Sequence, residues 1–372
     1  MGSERPLLES ASMESPAPPP RRPALRQATA GLLRWGPHGG AHRVALRAGV
    51  SVCVPLLVLV LAGRVGWAPY AAFGAFTSLY GRRHARSERA GMQVVAGAFL
   101  VLAVTAGALV SLAPDARWFV VPLGALLAAA GSLASDAYRW HPPGPLFLVF
   151  AFTVCAMVPA TPATVVVAAA VATASVLFSL LVAHVGVLRE PSAWRRPELP
   201  APRFRDALAA PGARAHLLRH VIALGVAGAI ATGLGWQHPY WAMVAAVTVL
   251  SGPDLAARLT RGLHRVVGTA AGVVVAAPIL LWSPQGAWAV LVIGVLQVLT
   301  ELVVGRNYAV ALLFITPLAL MMGQLAHPVA AGPLLRDRLF ETVLGALVGA
   351  VVLLAVPDRL RRRAGAGGML AG

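Results

Sequence analysis

Long apolar runs recur along this chain, and they restrict its fold more than any motif does. A helix needs about 20 apolar residues to cross the hydrocarbon of a bilayer, and the sequence supplies such runs repeatedly. Only 12% of the residues are charged and 58% are hydrophobic, with a mean hydropathy of +0.73. An ordinary soluble domain carries about 25% charged residues, so that class is excluded. In lipid every backbone polar group must be paired internally, which leaves helices or closed barrels. The runs are continuous and lack the alternation of a barrel strand. The expected fold is therefore an all-α polytopic membrane protein.

Twelve transmembrane helices are expected, at about 45–63, 67–80, 90–112, 118–135, 144–159, 162–187, 216–234, 239–251, 262–282, 286–304, 307–324 and 336–356. Three of them, 67–80, 144–159 and 239–251, are too short to cross upright and must be extended, broken or partial. They divide into two related six-helix halves, 44–188 and 216–357. A Pro- and Arg-rich cytoplasmic linker, 189–215, joins the halves. A leader over 1–43, rich in Pro, Ser and Arg, is too poor in apolar residues to fold alone and is expected to be disordered. Residues 24–35 are a candidate interfacial helix within it, and a basic tail fills 358–372. The first apolar run begins near Ala45, late for a cleaved signal, so the first span is expected to stay in the protein.

Charge sets the orientation. The formal net charge is +17, and all 31 basic residues are arginines. They sit in short patches between apolar runs, the pattern of topology signals and not of a nucleic-acid surface. With the N-terminus inside, 27 of the 31 arginines fall on cytoplasmic segments, leaving Arg64, Arg117, Arg336 and Arg338 outside. Both termini of a multi-pass cell-membrane protein are thus placed in the cytoplasm. Cys53 and Cys155 lie inside apolar runs and read as packing residues. No metal-ligand spacing, cofactor motif or catalytic constellation stands out, so neither an enzyme, a metal nor a cofactor is expected.

Three echoes of one pattern remain. Arg265-Val-Val-Gly268-Thr269-Ala-Ala-Gly272 places a permanent cation at the mouth of an apolar helix, followed by small residues. Arg338-Leu-Phe-Glu341-Thr342-Val-Leu-Gly345 repeats it, and Arg89-Ala-Gly-Met-Gln93 is a looser version. Between the halves, Gly66-Trp67-Ala68-Pro69-Tyr70 answers Gly235-Trp236-Gln237-His238-Pro239-Tyr240. Within the second half, Tyr240 with Arg265 parallels Tyr308 with Arg338, three spans later and so inverted in the bilayer. Each half is compatible with a 3+3 inverted repeat, an architecture in which transporters bind substrate between the repeats.

Arg265, Arg338 and Arg89 are candidate anion-binding groups, because a guanidinium stays charged and presents a fork of donors. The competing reading is that they snorkel to headgroups, and that Asp337 neutralises Arg338. Thr269 and Tyr240 are candidate substrate contacts beside them, although Tyr240 also suits the aromatic belt. Glu341 and Glu301 are candidate proton-coupling carboxylates; their competing reading is structural pairing with Arg338 and Arg306. Asp136 stands about where Glu301 stands in the other half. Gly268 with Gly272, and Gly345 with Gly349, read as close-packing faces.

In the order Pro239-Tyr240-Trp241, Arg265-x-x-Gly268-Thr269-x-x-Gly272, Asn307-Tyr308, Phe314-Ile315-Thr316-Pro317 and Arg338-x-x-Glu341-Thr342-x-x-Gly345, the chain resembles the fusaric-acid-resistance-like family, which includes aromatic acid exporters. Arg261-Gly262-Leu263-His264-Arg265 also resembles the plant aluminium-activated malate channels. The resemblance is best over 216–356 and implies an integral membrane transporter of small, often aromatic, organic anions. The large soluble domain of such proteins has no counterpart between the halves here. The expected function is a proton-coupled exporter of small organic anions. An anion channel using the same arginines and a non-transporting membrane scaffold are the alternatives. The expected partners are the organic anion and the lipid bilayer, with no nucleic acid; a homo-oligomer is left open.

Overall fold

In a computed structural model of the chain, residues 35–36, 40–82, 84–189 and 197–356 are described. The tail 358–372, residues 24–34 of the candidate interfacial helix and nearly all of the leader lie outside them. Among the described residues there are helices and no strands, as continuous apolar runs require. The first half contains α1 (Ala41–Leu61), α2 (Ala68–Ala75), α3 (Arg86–Val110), α4 (Ala116–Ala137), α5 (Leu146–Cys155) and α6 (Pro162–Arg189). A short α7 (Phe204–Ala209) stands in the linker. The second half contains α8 (Ala213–Gly233), α9 (Tyr240–Leu250), α10 (Leu255–Trp282), α11 (Gly286–Val303), α12 (Tyr308–Ala326) and α13 (Ala331–Ala355).

Nine helices among the described residues are long and apolar enough to cross a membrane. The three segments too short to cross upright are broken or partial, as their length demanded. The 67–80 stretch is α2 held between two 3-10 turns, Val65–Trp67 and Phe76–Leu79. α5 and α9 are apolar helices of 10 and 11 residues. Every residue of α2 is buried, and so is every residue of α9 after Tyr240. A helix apolar all round belongs in the interior. The long helices surround these two and turn Leu102, Val274, Leu281 and Leu347 outward, each more than half exposed. Such an apolar surface suits lipid and not water.

The packing of one half is repeated in the other when αn is exchanged for αn+7. α3 packs on α5 and α6, and α2 on α6; α10 packs on α12 and α13, and α9 on α13. Across the halves, α1 packs on α11 and α4 on α8, while α2 touches α12 and α5 touches α9. The linker helix α7 has no partner in this exchange and lies against α4 and α8.

Two helix starts differ from the sequence expectation in a way that matters for the site. α10 begins at Leu255, because Asp254 caps it: its Oδ1 accepts the Ala257 N–H at 2.8 Å. α13 begins at Ala331. Arg265 is therefore not at a helix mouth. It lies ten residues into α10, about 15 Å along the axis. Asn307 caps α12 in the same way, with Oδ1 accepting the Val310 N–H at 3.1 Å.

Candidate functional site

The glycines of the two signatures bring helices together. A Cβ on Gly268 would stand 2.6 Å from the Ala309 carbonyl of α12, and one on Gly272 would meet Thr316 at 2.7 Å. Likewise, a Cβ on Gly345 would collide with the Ala242 carbonyl of α9, and one on Gly349 would stand 3.0 Å from Val249. Small residues allow this backbone approach. So α10 lies against α12, and α13 against α9. The arginine one turn before Gly268 and the arginine two turns before Gly345 each reach the aromatic start of the helix they pack on.

Arg265 donates from Nη1 to the Tyr308 hydroxyl at 3.2 Å. Arg338 lies with its guanidinium carbon 3.7 Å from the centre of the Trp241 ring, a cation–π contact. The residues are 3% and 1% exposed, so neither arginine snorkels. Arg338 is within electrostatic reach of Arg265, Tyr240, Tyr308 and Glu341. The sequence put these cations at opposite ends of the membrane; the structure brings them within electrostatic reach of each other.

Neither cation is ion-paired among the described residues. Nε and Nη2 of Arg265, and Nε, Nη1 and Nη2 of Arg338, are buried without a hydrogen-bond partner. The hydroxyl of Thr269, one turn beyond Arg265, is also buried and unpartnered, as is that of Thr316. Arg261 stacks on the other reachable part of Tyr308, 4.9 Å from its ring centre.

Both structural ion pairs expected from sequence spacing are absent. Arg338 turns to Trp241, leaving Glu341 to accept the His238 backbone N–H at 3.3 Å through Oε1. Oε2 of Glu341 is buried and unpartnered. Asp337 does not neutralise Arg338; it faces Arg336 at 3.4 Å and His238 at 3.8 Å. Arg306 stacks over Trp35. Glu301 is instead ion-paired with Arg82 of the first half and accepts from Gln297 at 3.2 Å. Arg89 stays within the first half, donating to the Ala183 carbonyl at 3.5 Å. Arg265, Thr269, Arg338, Tyr240 and Glu341 are thus gathered, while Arg89 and Glu301 belong to other contacts.

Sequence reasoning gave two residues here, His238 and Asp337, no role in the site. His238, Asp337 and Glu341 hold donor atoms within 4.8 Å of one another, a spacing that a metal ion could bridge. Asp337 of this set is already engaged by Arg336 at 3.4 Å. His238 and Asp337 are 99 positions apart, and only the packing of α9 on α13 joins them.

Two cavities lie at opposite ends of the bundle. One, about 930 Å³, is lined by Asp136, Arg139, Arg203, Arg219, His220 and Arg258 among others. The other, about 500 Å³, is lined by Ser111, Arg117, Trp118, Val158 and Thr232 among others. Neither is lined by Arg265 or Arg338, so the guanidinium pair is occluded from both.

Residues 226–352 match the family described as fusaric acid resistance protein-like. The matched segment holds every member of the gathered site, from His238 to Glu341. The second half of this multi-helix chain is thus similar to that family over the matched segment. The chain is also 34% identical over 133 residues to the uncharacterized membrane protein YvaC of Bacillus subtilis (strain 168). That alignment covers 36% of this chain and 21% of YvaC, so the chain spans about a fifth of the length of the curated relative it matches. No solved structure matches.

Proposed function

We propose that the protein moves small organic anions, aromatic acids among them, out of the cell by a proton-coupled mechanism. One observation carries this reading: two buried guanidiniums within electrostatic reach of each other, with five unpartnered nitrogens between them. A buried charge without a partner is unfavourable by several kcal/mol, and two like charges add to that. A bound carboxylate relieves both terms, since it accepts the parallel donors of a guanidinium fork. Thr269 and Tyr308 supply further polar contacts, and Tyr240 and Trp241 offer aromatic faces nearby.

The packing supports twelve spans, with α2, α5 and α9 as their broken or partial members. It also supports an inverted 3+3 repeat in the second half: α9 on α13 is answered by α12 on α10, each pair closed by an arginine on an aromatic residue. Substrate sites between such repeats are a recurrent transporter arrangement. In this reading the arginine-rich end faces the cytoplasm, both termini lie there, and the 930 Å³ cavity is the inward vestibule. Burial of both arginines favours an occluded carrier over an open anion channel. A scaffold would have no use for unpaired buried cations.

Glu341 is the proton carrier best supported by the geometry, because it lies within electrostatic reach of Arg338 and keeps one oxygen unpartnered. Glu301 is engaged by Arg82. Anion release would leave the guanidiniums facing Glu341 and favour its ionised form; anion binding would favour its protonation. The test is flux of labelled benzoate in proteoliposomes under an imposed pH gradient. Arg265→Gln and Arg338→Gln should each lower saturable flux by about 100-fold, the scale of truncating a buried charge contact. Wild-type flux in both variants would refute the proposal, and a non-saturating benzoate current without proton movement would identify a channel.

A further inference from the structure

We infer that His238 is the group through which protons from the end of the bundle opposite the basic cavity reach Glu341. The inference rests on the proposed proton coupling and adds the route. His238 sits in the turn between α8 and α9, beside Gln237, which accepts from Arg117 at 3.3 Å. Arg117 lines the 500 Å³ cavity, so His238 lies at that end.

The imidazole has two unlike sides. Its side chain is 22% exposed, yet Nδ1 is buried. The exposure therefore lies on the other ring atoms. Nδ1 faces Asp337 Oδ2 at 3.8 Å, and the imidazole, Asp337 and Glu341 offer atoms within 4.8 Å of one another. Beneath them, Glu341 is fully buried with Oε2 unpartnered, and Arg338 lies within its electrostatic reach. The order from solution inward is imidazole, two carboxylates, then the guanidinium pair.

A histidine so placed passes a proton without a net change of its own. Water delivers a proton to Nε2, and Nδ1–H is released to Asp337 or Glu341 through one bridging water, since 3.8 Å is beyond direct hydrogen-bond reach. The ring is left neutral in the other tautomer, and rotation or a second exchange restores it. One proton arrives, one leaves, and the carboxylate becomes a carboxylic acid. The charged and titratable groups facing the ring are Asp337, Glu341 and Arg336 from α13, Arg117 from α4, and the neighbouring Tyr240. Burial holds the imidazole below its usual range, with Asp337 acting in the opposite sense. A resting neutral ring is the form that can accept a proton.

The experiment uses the full chain in proteoliposomes, with benzoate as the probe and a pH-sensitive dye reporting proton movement. His238→Gln keeps the size and polarity but cannot titrate. Benzoate affinity should change less than about 2-fold, while coupled proton flux falls about 10-fold, within the range of one acid–base group. In His238→Ala, millimolar imidazole on the His238 side should restore part of that flux. A structural role would not respond to imidazole. If wild-type protein moves benzoate with protons and His238→Gln does so at the same rate and with the same pH profile, the route is wrong and the coupling stands. If wild-type protein moves benzoate without protons, both fail.

Discussion

At the scale of single residues, the account turns on charge placed where charge is costly. Arg265 and Arg338 form no ion pair among the described residues and lie close to aromatic rings, so their donors stay available. Arg265→Lys should therefore fail almost as fully as Arg265→Gln, because an ammonium keeps the charge and loses the fork; benzoate flux checks this. His238 gives a stability prediction outside the spans. Its folded-state pKa is lowered, so below about pH 6.5 the unfolded chain binds more protons than the folded one. Stability from this group is present above that pH and is lost as pH falls towards the folded value. Chemical unfolding in detergent should show wild-type protein losing more stability from pH 7.5 to pH 5 than His238→Gln.

At the scale of elements, helix contacts depend on missing side chains. Gly345→Val would drive a branched side chain into the Ala242 carbonyl and should destabilise by about 1–3 kcal/mol. Gly225 in α8 has no atom within 4 Å of an added Cβ, so Gly225→Ala should stabilise by up to about 1 kcal/mol. Thermal melts of the two variants in one detergent compare the opposite signs directly. This scale was largely legible in the sequence. Apolar runs marked the helices, and the spacing Gly268-x-x-x-Gly272 marked a close face. The partner of that face was not legible, because spacing along one helix says nothing about which neighbour fills it. Pairing Glu301 with Arg306, or Asp337 with Arg338, followed chain proximity, and tertiary packing overrode it. Arg82 reaches Glu301 from the other half, a contact between residues more than two hundred positions apart.

At the scale of the whole molecule, the two halves pack alike but differ in their surroundings at one matched pair of positions. Under the exchange of halves, the Arg82–Glu301 pair corresponds to Arg258 and Asp136. Glu301 is buried at its ion pair, whereas Arg258 and Asp136 both line the 930 Å³ cavity. Glu301→Gln should therefore destabilise more than Asp136→Asn. Its cost should fall short of the about 3–5 kcal/mol of a fully buried pair, since the Arg82 side chain is 20% exposed. Equilibrium unfolding of the two variants measures the difference. The duplicated halves were visible in the sequence as repeated signatures, and the convergence of Arg265 and Arg338 was not, because it depends on how far each helix extends before its arginine. The most direct test of that convergence is a melting-temperature scan of purified protein against a panel of mono- and dicarboxylates. At least one acid should raise the melting temperature saturably in wild-type protein and leave Arg265→Gln and Arg338→Gln unmoved; no stabilisation by any acid, or equal stabilisation of both variants, would contradict a shared anion site.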